Sequence, residues 1–363
     1  MSEPALKASP YRRLVEKAFA ESIPLTCQFE LTYRCNHLCT FCYNSPSGDR
    51  ELTTPQIFEA LRKISEFGLL YVTLTGGEAL CHRDFFKIAK EVRRLGMALR
   101  IYSNGYLMAD RAVVKKIKEL NPVEVEISIH GSRPESHEAL TRIKGSFQRT
   151  VQAVENLTAA GIKINLKTPI TRLNQNELFE IRELGDRFGL HVTFDAVITP
   201  KDDGSLDPLS LRPDDEFLQK YWGEWYAELH HGKLPPRANH CAADGVEAVC
   251  GSGRAGFTVD PYGNILPCVA FRRPVANILE VESLAQIWYS SPVLTEVRDL
   301  ALQARQRLNE HENGRYFTFC MGVAEKQVGH PLALYPQAEI NASAVRRAYD
   351  LLQIEDPTQR KTA

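Results

Sequence analysis

The chain predicts an α/β fold in which parallel strands alternate with crossover helices, followed by a smaller α+β domain built around a β-hairpin. Three observations carry this. Strand-like apolar runs recur at 27–33, 70–75, 98–103, 123–129, 162–168 and 190–197, with segments of helical period between them. Several helical segments end at a glycine (Gly68, Gly96, Gly161, Gly189), the usual residue at a helix stop. Residue types that carry chemistry gather at the C-terminal ends of the strand runs, where parallel sheets place their sites. This order fits either an open doubly wound sheet or an incomplete barrel.

In chain order, a polar extension over 1–26 holds one helix at 12–20. The core spans 27–200. Its first crossover helix opens at Thr54-Pro55-Gln56-Ile57, a cap followed by proline at the first helical position. Further helices are predicted at 83–95, 110–120, 147–160 and 174–188. At 201–213 the composition turns to Asp, Pro, Gly and Ser, which reads as a linker, and an aromatic-rich helical patch covers 215–230. Linker and helix together make a segment over 201–235. A cysteine-bearing domain follows over 236–330. Within it, 257–266 reads as a hairpin with the turn Asp260-Pro261-Tyr262-Gly263-Asn264. The tail, 331–363, has a helical pattern over 342–352.

Composition bounds the function. The chain has 363 residues, with Lys plus Arg 44 and Asp plus Glu 45, so no overall field draws it to nucleic acid or to an anionic membrane. No signal-type or spanning apolar run is present. The nine cysteines do not resemble a small disulfide framework. Free thiols of this kind belong in a reducing compartment, and a cytoplasmic location is expected.

Seven of those cysteines form two groups. Cys35, Cys39 and Cys42 crowd a polar loop directly after the first strand. Three thiolates inside eight residues suit one 4Fe–4S cube and leave its fourth iron without a protein ligand. Structural zinc usually wants four ligands in paired units. The second group is Cys241, Cys250, Cys268 and Cys320. The hairpin brings Cys250 and Cys268 together, and Cys241 and Cys320 complete a second cluster; a zinc knuckle or unrelated core cysteines are the alternatives. Cys27 reads as a buried small hydrophobe. So does Cys81, against the sharper reading of a thiol that donates a hydrogen atom.

The spacing Cys35-x₃-Cys39-x₂-Cys42, with Phe41 before the last cysteine, resembles the signature of the radical S-adenosylmethionine (SAM) superfamily. Gly76-Gly77-Glu78 after the second strand and Ser103-Asn104-Gly105 after the third match further motifs of that family in order. The resemblance covers about 25–200 and implies a partial (β/α)₆ TIM-like barrel. Cys250-x₁₂-Gly263-x₄-Cys268 with a long gap to Cys320 resembles the auxiliary-cluster extensions called twitch and SPASM domains. No cysteine lies between Cys268 and Cys320 or after Cys320, so the single-cluster form is expected.

The resemblance implies two 4Fe–4S clusters and SAM as cofactors. Cys35, Cys39, Cys42 and Glu78 then carry catalysis. Tyr43, Gly76, Gly77, Glu78, Ser103, Asn104, Ser128 and Arg142 contact the cosubstrate. In this reading Glu78 accepts from the methionine ammonium, Arg142 forks onto the carboxylate, Ser128 meets the ribose and Tyr43 meets the adenine. The two glycines let backbone approach the ligand. His130, Lys167 and Asp195 are rim candidates, with a satisfied structural histidine the plainer reading of His130. No Gly-Lys-Ser/Thr follows the glycine pair, which argues against a phosphate loop.

The implied activity is reductive cleavage of SAM, hydrogen abstraction and oxidation of a peptide or protein side chain, with the auxiliary cluster in electron transfer. The expected partners are a reductant such as flavodoxin or ferredoxin and, for a ribosomal peptide, a separate recognition protein. The alternatives are a radical SAM enzyme acting on a small molecule or cofactor precursor, and a non-catalytic iron–sulfur carrier or scaffold. A pure carrier would want four ligands on each cube.

Overall fold

A computed structural model describes residues 9–235, 242–243 and 246–351. Its centre is a nine-stranded sheet. Six parallel strands form its main part: β1 (Thr26–Glu30), β2 (Tyr71–Thr75), β3 (Ala98–Ser103), β4 (Glu124–Ser128), β5 (Ile164–Pro169) and β6 (Val192–Asp195). Each pairs with the next in register, from Thr26 opposite Tyr71 to Pro169 opposite Asp195. The crossovers are α2 (Thr54–Glu66), α3 (Phe85–Arg94), α4 (Arg111–Leu120), α5 (Pro134–Thr141), α6 (Ser146–Ala159) and α7 (Leu178–Asp186), and α1 (Pro10–Ala20) precedes them. The fold is a partial barrel.

Strand alternation divides the sheet into two faces. Cys27, Phe29, Val72, Leu74, Leu99, Ile101, Val125 and Ile127 are buried in one core with Ile57, Leu61 and Ile88 of the crossover helices. Each such side chain contributes roughly 1.5–3 kcal/mol when fully buried. The intervening residues Arg100, Tyr102, Glu126, Ser128, Lys167 and Asp195 are half-buried. This gives the barrel a polar inner face.

The strand predictions match within a residue or two, except that β1 ends at Glu30, three residues before the predicted end at Tyr33. Three details differ in the helices, the first being that the tail helix predicted over 342–352 starts earlier, at Pro336. The cap of α2 is Thr53, not Thr54: Gln56 Oε1 accepts from Thr53 N (2.9 Å) and Thr53 Oγ1 (2.7 Å). Between β4 and β5 the chain forms two helices where one was expected. The extra one, α5, is short and polar, so its sequence lacks the apolar period that marks α6.

Beyond β6 come α8 (Asp215–Lys220), a π-turn over Tyr221–Trp225 and α9 (Tyr226–Leu229), then the short ribbon of β7 (Ala242–Ala243) and β8 (Val246–Glu247). The predicted hairpin is β9 (Gly256–Val259) and β10 (Asn264–Leu266), continued by β11 (Ala276–Asn277). It does not stand apart from the barrel: β9 pairs in parallel with β1 and extends the same sheet. Helices α10 (Leu284–Ser290), α11 (Pro292–Glu310), α12 (Met321–Val328) and α13 (Pro336–Leu351) follow. A second core gathers Phe271, Val297, Phe317, Phe319, Met321 and Tyr335. No described helix is long and apolar enough to cross a membrane.

Candidate cluster and cosubstrate site

The loop after β1 carries Cys35, Cys39 and Cys42 and is held from two sides. Gly77 N donates to Thr32 O (2.7 Å) and Glu78 N to Arg34 O (3.0 Å), which fixes the approach to Cys35 against the end of β2. Leu38 N and Thr40 N donate to Thr141 O and Leu140 O (3.0 Å each), which fixes the loop's centre on the end of α5. The glycine pair owes its identity to this packing. A Cβ on Gly76 would lie 2.3 Å from Thr32 O, and one on Gly77 2.5 Å from Tyr33 O. The crowding comes from the chain's own backbone, which by itself requires glycine at both positions.

The three thiols lie within electrostatic reach of one another. Burial, then neighbouring negative charge, pushes the Cys35 thiol up to about 11; burial also raises Cys39 and Cys42. Such thiols stay protonated at neutral pH unless a cationic partner draws the proton off, which iron does. Among the described residues, no three His, Cys, Asp or Glu side chains converge as a single-ion site requires. The donor set is soft sulfur, which suits an iron–sulfur cluster.

Around this loop lies a concentration of buried polar atoms without a hydrogen-bond partner: Asn36 Nδ2, both ring nitrogens of His37, Asn44 Oδ1, His130 Nδ1 and His137 Nε2. Buried polar groups are normally paired. The His130 ring packs on Phe41 (centroids 5.0 Å) and on His137 (5.3 Å), and His37 packs on Tyr106 (5.6 Å). Burial holds His37 at about 4 and His137 at about 3 and lowers His130 well below the usual histidine value, so these rings are neutral at neutral pH. A polar cosubstrate bound over the loop would supply the missing partners, so the residues present fit one. His37 and His137 were not singled out from sequence, because only the fold brings them to His130.

Glu78 is buried, and its carboxylate is largely occupied. It accepts from Leu80 N (3.1 Å), Ser103 Oγ (2.9 Å) and Asn104 N (2.8 Å). Burial raises its pKa and these three bonds pull it back. Of about four acceptor positions on a carboxylate, about one remains for a ligand. Asn104 Nδ2 reaches Asn36 Oδ1 (2.7 Å) and Cys35 Sγ (3.8 Å), so the Ser103-Asn104-Gly105 segment does meet the cysteine loop. Cys81 lies beside the loop as well, within reach of the Asn36 N–H and the Glu78 carboxylate.

Ser128 ends β4, half-buried on the inner face. Arg142 is exposed, in the left-handed conformation (φ 60°) at the C-cap of α5, and its guanidinium has no hydrogen bond or ion pair among the described residues. It follows Leu140 and Thr141, the residues that hold the loop. Tyr43 is tied to later parts of the chain: its carbonyl accepts from Asp202 N (2.8 Å), and Lys326 Nζ lies 5.8 Å from its ring centroid. Lys167 and Asp195 face each other on the inner face at 3.8 Å.

The second thiol group assembles across three segments. Gly253 N donates to Pro267 O (3.3 Å), which closes the Cys250 turn on the strand leading to Cys268. A Cβ on Gly322 would lie 2.5 Å from Ala270, so glycine there lets the start of α12 pack against the 268–271 turn. Cys320 caps α12, Cys268 Sγ accepts from Phe271 N (3.2 Å), and all three thiols pack on the second core. Cys320 is pushed up to about 11 by burial and then by Cys268. Backbone donors and a helix N-terminus both favour thiolate here, as a cluster needs. Cys241 lies outside the described residues.

An ionic group that sequence reading missed joins the two thiol sites. Arg272 reaches Glu30 (3.1 Å), Asp202 (3.3 Å) and Asp260 (3.9 Å) and contacts the Tyr33 hydroxyl, and Lys326 pairs with Asp202 (2.5 Å). No local pattern marks it, since its members are separated by up to 296 positions.

Residues 29–191 match the model of the radical SAM superfamily, and residues 250–320 match an iron–sulfur cluster-binding domain, SPASM. The second match begins at Cys250 and ends at Cys320. The chain is 28% identical over 309 residues to the mycofactocin maturase MftC of Mycobacterium tuberculosis, covering 80% of this chain and 77% of that one. It is 26% identical to an AdoMet-dependent heme synthase of Methanosarcina barkeri, covering 76% of this chain and 85% of the relative. Among solved structures, Streptococcus suis SuiB bound to its precursor peptide SuiA superposes with a TM-score of 0.63 at 16% identity, over 88% of this chain and 83% of that one.

Proposed function

This chain belongs to the radical SAM superfamily and carries that family's C-terminal iron–sulfur domain, and from that premise we propose that it oxidatively modifies a side chain of a peptide. The chain is an enzyme whose cofactors are 4Fe–4S clusters and SAM. When bound, the first cluster and SAM supply a deoxyadenosyl radical that abstracts hydrogen from substrate.

The protein's own residues supply position. Cys35, Cys39 and Cys42 hold the SAM-binding cluster, and Cys250, Cys268 and Cys320, with Cys241 as fourth ligand, hold the auxiliary one. The observation that carries the site is the ring of unpartnered buried polar atoms around the first three thiols. Glu78 keeps the β2 and β3 loops together and offers its remaining acceptor position to the methionine ammonium. Arg142, unpaired beside the loop, is the cation for the carboxylate. Ser128 and Asn104 reach the ribose side, with the Gly76-Gly77 backbone beneath. The half-buried inner face, with Lys167 and Asp195, receives the substrate.

The peptide reading rests on the maturase relative MftC and on the precursor peptide bound by SuiB, a structure that shares the fold. A second reading, action on a small molecule or cofactor precursor, is favoured by the heme synthase relative. We place the enzyme in the cytoplasm with a flavodoxin or ferredoxin as reductant, and with a separate recognition protein for a ribosomal precursor. The test is anaerobic reconstitution, expected to give about eight irons per chain, followed by assays for deoxyadenosine and peptide mass. Deoxyadenosine with loss of hydrogen mass from a precursor peptide supports the proposal. Product formation only with small-molecule candidates refutes the peptide reading.

A further inference from the structure

The inner face of the barrel holds a layer of polar side chains that bond to nothing in the chain. Tyr102, Glu126 and Asn165 lie side by side on β3, β4 and β5, since Tyr102 is in register with Glu126 and Glu126 with Asn165. All three are half-buried, and none makes a side-chain hydrogen bond or ion pair among the described residues. The interior of a (β/α) barrel is ordinarily packed with branched apolar side chains. A polar layer at this depth gives up that packing, so it is explained by what enters the barrel rather than by the core.

Charge decides which ligand fits. Beneath the layer Glu124 pairs with Lys163 (3.0 Å), and the Arg100 guanidinium lies over the Tyr71 ring, 4.5 Å from its centroid. Above it Lys167 faces Asp195 (3.8 Å). The charged groups that act on Glu126 are Lys167, Glu124 and Asp195, one cation against two anions. With both lysines matched by other acids, Glu126 is the carboxylate left without a partner. A carboxylate only accepts, and the phenol and amide beside it also offer acceptors. A positively charged donor satisfies all three.

Depth decides its length. Glu126 stands two residues before Ser128 on the same face of β4, about 7 Å below it. Ser128 marks the level of the SAM ribose in the reading above. A lysine side chain spans roughly 6 Å from Cα to Nζ, so a substrate residue held just beneath SAM reaches Glu126 with a side chain of that length.

We propose that Glu126, flanked by Tyr102 and Asn165, is the specificity-determining residue of the substrate site, receiving the cationic end of a lysine-length side chain and leaving that chain's carbons at the level of SAM. The inference rests on the reading of the inner face as the substrate site.

The test is anaerobic equilibrium dialysis of the full-length, reconstituted, SAM-loaded protein against the N-acetyl methylamides of lysine, norleucine and glutamate. Norleucine keeps the four-carbon stem and lacks the ammonium. Expected in the parent is a lysine advantage over norleucine of about 10- to 150-fold. Glu126→Gln should abolish it, and Glu126→Lys should prefer glutamate. Glu126→Asp, one methylene shorter, should reduce the advantage and keep its sign, which keeps the test open if Glu126→Lys loads iron poorly. Iron per chain and SAM affinity separate a damaged variant from one with altered selectivity. Equal affinity for lysine and norleucine in the parent overturns the proposal, as does a lysine advantage that survives Glu126→Gln. A parent that modifies a precursor peptide yet shows no lysine advantage overturns this inference and leaves the peptide reading standing; a lysine advantage without any peptide product does the reverse.

Discussion

Gly77→Ala probes how the cysteine loop is built. The added Cβ would lie 2.5 Å from Tyr33 O and 2.7 Å from Arg34 O, both backbone atoms. Ordinary contact is about 3.5 Å, so the 33–34 segment must retreat by about 1 Å. Overpacking of this kind costs about 1–3 kcal/mol. The retreat also breaks the bonds from Gly77 N to Thr32 O and from Glu78 N to Arg34 O, worth about 1–3 kcal/mol together. The sum, about 2–6 kcal/mol, is a large part of an ordinary domain stability of about 5–15 kcal/mol. Because Arg34 adjoins Cys35, iron loading should fall along with stability. Gly223→Ala is the control, since a Cβ there meets nothing within 4 Å and φ is not positive. Denaturant unfolding of the metal-free chain and iron per chain after reconstitution are the readouts. An unfolding free energy within about 0.5 kcal/mol of the parent, below the range for even one of these losses, would refute the packing argument, the more so with full iron content.

Three further outcomes are expected. Glu78→Gln turns an amide toward three donors that now have a carboxylate, so it should destabilise the chain by about 1–3 kcal/mol besides weakening SAM binding. Arg142→Ala, at an exposed residue without partners, should leave stability unchanged and weaken SAM binding about 10- to 150-fold; unchanged affinity in a SAM titration would remove Arg142 from the site. The last concerns acid. His137 sits at about 3 in the fold against about 6.5 unfolded, so between those values the unfolded chain binds the extra proton and stability falls as pH falls. From pH 7 to 5.5 the parent should lose about 1 kcal/mol more than His137→Gln; equal slopes in the metal-free proteins would contradict a buried neutral ring.

Local signals made the strands, the glycine helix stops and the grouping of Cys35, Cys39 and Cys42 and of Cys250, Cys268 and Cys320 legible. Each lies in a short stretch of sequence whose periodicity or spacing has one main physical cause. The hairpin was legible for the same reason, but its pairing with β1 was not, because nothing in 256–259 specifies a parallel neighbour more than 220 positions away. Glu78 was read as a ligand for the cosubstrate, yet three of its bonds go to Leu80, Ser103 and Asn104. A motif names the residue, but only the fold reveals how many of its acceptor positions are already taken. Helix α5 and its His137 were hidden by polar composition.

The missed ionic group has the largest consequence for how the two halves work together. Cys42 feels Asp202 and Glu30, Lys326 acts on Cys320, and Arg272 stands four residues after Cys268. Glu30, Asp202 and Asp260 thus meet Arg272 and Lys326 between the two thiol sites. Stripping one partner from such a buried group strands a charge at a cost of about 3–5 kcal/mol, so the joint resists bending. The parallel pairing of β9 with β1 ties the same two regions through backbone hydrogen bonds. The separation of the sites is therefore set by a continuous sheet and a buried charge cluster rather than by the linker over 201–213.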